Sequence, residues 1–241
     1  MPRFQGRQAD QLREVHFQRG VTESPDGSVL IEVGRTKILC TASVVSKVPF
    51  FQQSRKEGWL TAEYAMLPGS VDGRKMREFQ RRDGRSIEIQ RLIGRALRAV
   101  TDLSAFPNFT IHVDCDVLQA DGGTRCASIT GAAVALQDAL RKLSDRNQLS
   151  HWPLRDWPAA VSVGLVGGEE FLDLDYSEDA GADMDMNVVA TASGKLIEVQ
   201  ASGEGSVFER PAFDRLLGLA TQGVQQLTEL QQAAVQCELP A

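Results

Sequence analysis

Two spacings of apolar residues divide the chain into predicted strands and helices. Apolar positions that alternate with polar ones, or that form short runs between turn residues, predict strands at 28–33, 36–45, 60–66, 109–118, 161–166, 170–174, 186–192 and 195–200. Apolar positions at helical spacing predict a helix after residue 84, a second after residue 125 and a third that begins at Pro211. Hairpins followed by a helix occur in both halves, which predicts an α+β fold of two similar βαβα-type subdomains.

The spacing also predicts which helical faces are buried. The inward positions are Ile89, Leu92, Ile93, Ala96, Leu97 and Val100 in the first helix, Ile129, Ala132, Ala133, Leu136, Ala139, Leu140 and Leu143 in the second, and Phe213, Leu216, Leu217, Ala220, Val224, Leu227 and Leu230 in the third. We expect Arg91, Arg95 and Arg98 to point mostly outward. The stretch 71–84 has no periodic apolar face and is predicted to be a loop.

A short polar motif, Gln119-Ala-Asp-Gly-Gly-Thr-Arg125, lies where a predicted strand turns into a helix. Glycines allow the backbone to approach a ligand closely, helix-terminal N–H groups point outward, and arginine adds a forked cation, so the motif suits an anion site. The alternative is a Gly-Gly turn in which Thr124 or Ser128 caps the next helix.

Charge is unevenly distributed along a chain whose formal net charge is −6. Residues 69–98 contain nine basic and four acidic residues, whereas residues 169–185 contain eight carboxylates and no Lys or Arg. The basic segment suits phosphate groups and the acidic one suits a divalent metal, unless both are solvated surfaces.

Composition narrows the protein class. With 241 residues, 42% of them hydrophobic, the chain is long enough to bury a substantial core. It has no run of about 18 apolar residues and no apolar signal segment, so we expect no membrane association and a cytoplasmic protein. The four cysteines and three histidines are scattered, without zinc spacing or a local catalytic triad.

Four longer motifs resemble the bacterial ribonuclease PH family: Gly58-Trp-Leu-Thr-Ala-Glu-Tyr64, the run 83–98, the run 113–131 and the run 177–189. The resemblance extends from Gly6-Arg7 and Asp10-Gln-Leu-Arg13 to about Gly205. It implies a single ribonuclease PH domain over 1–241, with approximate halves 1–147 and 148–241 and a fold like domain 2 of ribosomal protein S5. It also implies a phosphate-dependent 3′-exoribonuclease that trims tRNA precursors and releases nucleoside diphosphates.

The resemblance assigns the site residues. Arg85, Gly123, Thr124 and Arg125 match the positions that bind the attacking inorganic phosphate. Asp179 and Asp185 match the two catalytic carboxylates, and a separation of six residues suits one turn that brings both to a single Mg²⁺ (or Mn²⁺). Ranked lower are Glu178, Asp183, Asp173 and Asp175, the last two predicted to share one face of a strand. The sequence leaves open whether an aspartate donates a proton to the leaving oxygen or only binds metal.

Further residues bear on RNA binding and assembly. Arg74 and Arg77 resemble positions that contact the RNA away from the cleaved bond, and Lys75, Arg81 or Arg82 are expected to share this role because Gly69 stands where relatives usually carry arginine. Cys126 stands where threonine is common; it is either an oxidation-sensitive thiol or a small semi-buried residue. The family implies a homohexameric ring, a trimer of dimers, and apolar residues that flank a loop with little local core suit such an assembly (Val48, Phe50, Phe51, Trp59).

Two other classes of protein remain open at this point. A metal-dependent hydrolytic nuclease or nucleotidyltransferase would use Asp173, Asp175, Asp179 and Asp185, but it leaves the Gly-Gly-Thr-Arg loop unexplained. A non-catalytic RNA-binding ring subunit would be expected to lack part of the phosphate loop or the aspartate pair, and this chain has both.

Overall fold

A computed structural model describes residue 3 and residues 6–77, 83–203, 205 and 207–237. The first half of the chain forms a five-stranded sheet with strand order β1-β2-β3-β5-β4. Its strands are β1 (Val15–Arg19), β2 (Gly27–Val33), β3 (Thr36–Val45), β4 (Trp59–Met66) and β5 (Thr110–Gln119). All pairs are antiparallel except β4 with β5, which run parallel because helix α2 (Gly84–Ala99) connects them.

The second half forms a four-stranded antiparallel sheet with order β7-β6-β8-β9. Its strands are β6 (Pro158–Val166), β7 (Glu169–Leu172), β8 (Met184–Thr191) and β9 (Leu196–Gly203). The remaining helices are α1 (Phe50–Gln53), α3 (Thr124–Asp145), α4 (Tyr176–Ala180) and α5 (Arg210–Gln236). The α+β prediction, with two subdomains each built on one sheet, is confirmed.

Helix α3 joins the two halves. It packs on β2 and β3 of the first sheet and on β6 of the second, so it is buried on nearly all sides rather than along one stripe. Small residues make this close packing possible: a Cβ on Gly131 would lie 2.6 Å from Ile31 Cγ2 and 2.8 Å from Cys40 Sγ. The first turn of α3 therefore has a fixed position between the two sheets.

The predicted inward faces of α2 and α3 are confirmed, and β3 has the predicted bounds. Three details were wrong. Leu230 on α5 is 40% exposed. Arg98 turns back instead of pointing outward, and its Nη1 donates to the Leu60 carbonyl at 2.9 Å. The strand predicted at 170–174 ends at Leu172, so Asp173 and Asp175 do not share a strand face.

The predicted loop has no helix or strand over residues 71–77, and α2 begins at Gly84. Arg81 and Arg82 lie outside the described residues. Within the described part of the chain, no helix is long and apolar enough to cross a membrane.

Candidate active site

The loop that leads from β5 into α3 requires both of its glycines. Gly122 and Gly123 have φ values of 74° and 65°, a left-handed conformation that residues with a Cβ rarely adopt. A Cβ on Gly122 would also lie 2.6 Å from the carbonyl carbon of Asp175. Gly123 is the N-cap residue of α3 and no side chain caps the helix, so the alternative in which Thr124 or Ser128 serves as the cap is wrong.

A polar cleft of about 350 Å³ gathers six residues that the sequence singled out. They come from α2, from the start of α3, from α4 and from β8, and they are Arg85, Gly123, Thr124, Arg125, Asp179 and Asp185. The cleft therefore contains two arginines, a helix N-terminus and two carboxylates within one small volume. Such a set suits a phosphate group beside a cation.

Thr124 is oriented from behind by a buried tyrosine. The hydroxyl of Tyr64, on β4, donates a 2.9 Å hydrogen bond to Thr124 Oγ1. Burial raises the pKa of Tyr64 above its usual value, so the phenol keeps at neutral pH the proton that it donates in this bond. Since Thr124 Oγ1 accepts this bond, its own proton is available for a ligand in the cleft.

Arg125 is partly exposed and is held by groups from two elements. Its Nη1 donates to Gln200 Oε1 on β9 at 2.9 Å and lies 3.5 Å from Glu88 Oε1 on α2. Gln200 Nε2 in turn donates to Glu88 at 3.3 Å and to Glu198 at 3.2 Å. The second sheet thus orients an arginine that the first turn of α3 provides.

The two aspartates approach the cleft from different elements. Asp185 lies on β8 opposite Gly164, and Asp179 lies in the exposed part of α4. Among the described residues no group of three or more His, Cys, Asp and Glu side chains is arranged to hold a metal. Mg²⁺ is usually bound by only one or two carboxylates together with waters and substrate phosphate oxygens, so this pair fits that ion.

Two other acidic residues of the segment 169–185 are neutralised by arginines from the N-terminal segment, which local charge counting could not reveal. The ion pairs are Arg3–Glu178 at 2.7 Å, Arg7–Glu178 at 3.1 Å and Arg13–Asp173 at 2.7 Å. Burial by itself would raise the pKa of Asp173, but the charge and hydrogen bonds of Arg13 outweigh it, so this pKa lies below its usual value. The carboxylates of Asp173 and Glu178 therefore have a structural role.

Asp175 also has a structural role. Its side chain accepts hydrogen bonds from the backbone N–H groups of Ser177 and Glu178, and Glu178 reaches back to the Asp175 N–H, which forms a capping box at the start of α4. Asp175 and Glu178 therefore fix the short helix that carries Asp179. Asp183 is exposed and does not line the cleft.

Four polar residues that were not predicted from the sequence also line the cleft: Ser162, Asn187, Gln200 and Ser202. One of them had a signal in the sequence. Asp185 and Asn187 alternate with buried Met184, Met186 and Val188 on β8, so a polar face on an otherwise apolar strand indicated Asn187.

Cys126 lies beneath the cleft, and the thiol donates to Asn187 Oδ1 at 3.3 Å. Burial raises its pKa to about 12, so the thiol stays protonated at neutral pH. Because the thiolate is the form that reacts, Cys126 is not expected to be sensitive to oxidation. The small buried residue is the interpretation that fits.

The part of the predicted loop that the structure describes, residues 71–77, is here called the basic loop. Both predicted RNA-contact residues, Arg74 and Arg77, are exposed in it. Lys75 lies 3.3 Å from Asp83, the N-cap residue of α2. Among the described residues, nothing lies within 4 Å of a Cβ built on Gly69, so this position has room for the arginine that the resemblance leads us to expect there.

Comparisons with known proteins agree on family and fold. The 3′ exoribonuclease family matches the chain with its domain 1 over residues 11–142 and its domain 2 over residues 156–223. A chain of the Archaeoglobus fulgidus exosome with RNA bound to the active site is 24% identical, with a TM-score of 0.80 and coverage of 94% of this chain and 91% of that one. Rrp46 of rice (Oryza sativa) is 18% identical, with a TM-score of 0.78 and coverage of 97% and 100%. A chain of an archaeal exosome core is 24% identical, with a TM-score of 0.75 and coverage of 95% and 91%.

Proposed function

Because the chain belongs to the 3′ exoribonuclease family, we propose that it is a phosphate-dependent 3′-to-5′ exoribonuclease of the ribonuclease PH type that trims the 3′ ends of tRNA precursors. The observation that carries the proposal is the single cleft lined by two arginines, a Gly-Thr loop and two aspartates. Phosphorolysis needs an anion site for the attacking phosphate beside groups that stabilise the leaving oxygen.

In this proposal Arg85, Thr124 and Arg125 bind inorganic phosphate. The guanidinium groups offer forked, positively charged donors, the Thr124 hydroxyl adds a proton, and the first N–H groups of α3 add the positive end of a helix dipole. Bound phosphate is already an anionic nucleophile, so no strong organic base is required. No histidine lines the cleft among the described residues, which agrees with this chemistry.

Asp179 and Asp185 would hold one Mg²⁺ or Mn²⁺ ion, which would neutralise the charge that develops on the oxygens of the reacting phosphoryl group and on the leaving 3′ oxygen. A phosphate oxygen forms a bond to the phosphorus of the last phosphodiester as the bond from that phosphorus to the 3′ oxygen of the penultimate nucleotide breaks. The leaving 3′ oxygen takes up a proton, either from water or from one of the two aspartates. The products are a nucleoside diphosphate and an RNA shorter by one nucleotide with a free 3′ hydroxyl. The reaction is reversible because the bond broken and the bond formed are both phosphoryl linkages.

The basic loop would bind the part of the RNA that lies outside the cleft. Arg74 and Arg77 are exposed, and contacts of this type bind phosphate groups without reading the base sequence. They would hold the body of a tRNA precursor while its 3′ end enters the cleft.

The hydrolytic alternative is disfavoured by the pairing of its additional carboxylates. Asp173 is buried against Arg13, and Asp175 caps α4, so neither is available to complete a larger metal cluster. Of the four carboxylates that this alternative uses, Asp179 and Asp185 line the cleft.

We also propose a cytoplasmic homohexamer built as a trimer of dimers. Phe50 is 89% exposed and Phe51 is 60% exposed, and Phe51 packs edge-on against Trp59 with ring centroids 5.2 Å apart. Large apolar side chains that are grouped on a surface mark a contact site for another protein chain. The fold is similar to that of a chain of an archaeal exosome and of a chain of an archaeal exosome core, which agrees with an assembly of several subunits. Light scattering that finds a fully active monomer at micromolar concentration would contradict the hexamer.

The proposed reaction is tested by incubating a 3′-labelled RNA with the protein in the presence and absence of inorganic phosphate. We expect release of the label to require phosphate and the labelled product to be a nucleoside diphosphate. Release of nucleoside monophosphates at an undiminished rate without phosphate would contradict the proposal and favour a hydrolytic nuclease. An absence of release under both conditions would favour a non-catalytic subunit.

A further inference from the structure

One buried arginine contacts both the loop that leads into α3 and the segment that leads into α4. Arg13 Nη1 donates to the carbonyl of Asp121 at 2.6 Å, immediately before the Gly122–Gly123 turn. Its Nε and Nη2 donate to Asp173 at 3.0 and 2.7 Å, and its backbone N–H donates to the same carboxylate at 2.8 Å. We propose that Arg13 is a positioning residue that fixes the phosphate-binding loop relative to the segment that carries Asp179. The proposal rests on the proposed function, since it concerns the same site.

On the phosphate side, Arg13 lies directly beneath the turn. A Cβ on Gly123 would come within 2.8 Å of Arg13 Nη2, so the guanidinium fills the space under the loop. A hydrogen bond to the Asp121 carbonyl holds the chain at the point where it enters the left-handed turn. The direction of the N–H groups at the start of α3 depends on this turn.

On the carboxylate side, Arg13 holds a strained residue. Asp173 has a φ of 57°, a left-handed conformation that a non-glycine residue keeps only when its surroundings enforce it. Arg13 supplies three hydrogen bonds to the Asp173 carboxylate, and the Asp173 N–H donates to the carbonyl of Ser162, which also lines the cleft. Asp173 leads into α4, so its conformation sets the position of Asp179.

Arginine is the residue that this geometry requires. The planar guanidinium makes two bonds to one carboxylate and a third to a carbonyl on the other side, whereas the ammonium of lysine is a single point charge. Lysine at position 13 would keep the positive charge but would release one of the two segments.

The chain contains a matched ion pair away from the cleft. Arg19 is as buried as Arg13, and its guanidinium also makes two bonds to one carboxylate, that of Asp138 on α3. Its remaining bonds go to carbonyls at the end of α5, at Ala234 and Cys237. Arg19 and Asp138 do not line the cleft, so their variants measure the effect of losing a buried pair alone.

The test compares Arg13→Lys with Arg19→Lys. Phosphate affinity is measured by calorimetry without RNA, kcat and the phosphate KM are measured with RNA, and thermal unfolding records the stability of each variant. We expect Arg13→Lys to weaken phosphate affinity and to lower kcat by about tenfold or more, because small displacements of positioning groups have large effects on rate. We expect Arg19→Lys to stay within about twofold of the wild type in both values, since it leaves the site geometry unchanged.

Asp173→Asn and Asp138→Asn form a second matched pair that decides the question if Arg13→Lys does not fold. A phosphate affinity and kcat for Arg13→Lys or Asp173→Asn equal to those of the matched control would overturn the role of Arg13. A wild-type protein that binds phosphate but releases no nucleoside diphosphate would contradict the proposed function alone, and the affinity comparison would still test Arg13. A wild-type protein that binds no phosphate would overturn both.

Discussion

The phenol of Tyr64 and the hydroxyl of Thr124 form a directed pair, in which Tyr64 donates and Thr124 accepts at 2.9 Å. The two residues are 60 positions apart in sequence, and the pair links β4 to the first residue of α3. Since Thr124 lines the cleft and Tyr64 lies behind it, the pair sets the direction of the Thr124 proton toward a ligand.

Tyr64→Phe should therefore raise the phosphate KM. The loss of one net hydrogen bond is worth about 0.5–1.5 kcal/mol, which corresponds to about 2- to 12-fold in KM. Initial rates of phosphorolysis over a phosphate series measure the effect. Tyr176→Phe is the matched control because Tyr176 is exposed and outside the cleft. Equal phosphate KM values for the two variants would show that the pair has no part in phosphate binding.

Arg85→Ala and Arg125→Ala should raise the phosphate KM more strongly. Each removes a charged hydrogen-bond donor worth about 1.5–3 kcal/mol, or roughly 10- to 150-fold in KM. The same kinetic series measures both, and Arg91→Ala serves as the control because Arg91 lies on the exposed side of α2. If either variant retained the KM of Arg91→Ala, its arginine would not be a phosphate ligand.

Asp179→Asn and Asp185→Asn should lower kcat by roughly a hundredfold or more, since a metal-held charge contributes several kcal/mol to the transition state. They should also raise the Mg²⁺ concentration needed for half-maximal rate, which a metal titration of the rate measures. Asp183→Asn, in the same segment but outside the cleft, should have little effect on either value. Near-normal turnover in either Asn variant would remove that aspartate from the mechanism.

Arg74→Ala combined with Arg77→Ala should weaken binding of a tRNA precursor and reduce the slope of log affinity against log salt by roughly two units at most. Filter binding across a salt series measures the slope. Release of single nucleotides from a short oligonucleotide should change much less, because the cleft is untouched. Gly69→Arg is the opposite variant, since the site has room for the side chain and an added phosphate contact should steepen the slope. Equal slopes for the wild type and the double variant would indicate a solvated loop.

Local periodicity predicted most of the fold because burial alternates along a strand and repeats every turn of a helix. The bounds of β3 and the inward face of α2 followed from it. It failed where a long-range contact decides the structure. The strand predicted through Leu174 stops at Leu172 because Arg13, 160 residues away, holds Asp173 in a left-handed conformation.

The same distinction between local and long-range signals applies to the candidate site. The Gly-Gly-Thr-Arg loop and the aspartate pair belong to motifs that are contiguous in sequence, so their residues could be selected before the structure was known. The capping box formed by Asp175 and Glu178 had a local signature, an acidic residue followed three positions later by glutamate. Tyr64 behind Thr124 and Gln200 beside Arg125 had no such signal, because strand pairing and helix packing bring them to the cleft.

The proposed reaction requires inorganic phosphate to be the nucleophile. The most direct measurement uses radiolabelled inorganic phosphate and an unlabelled RNA, and it follows the label into the released nucleotide. We expect label in the terminal phosphate of nucleoside diphosphates, one equivalent for each nucleotide removed. Shortened RNA with monophosphate products that carry no label would contradict it.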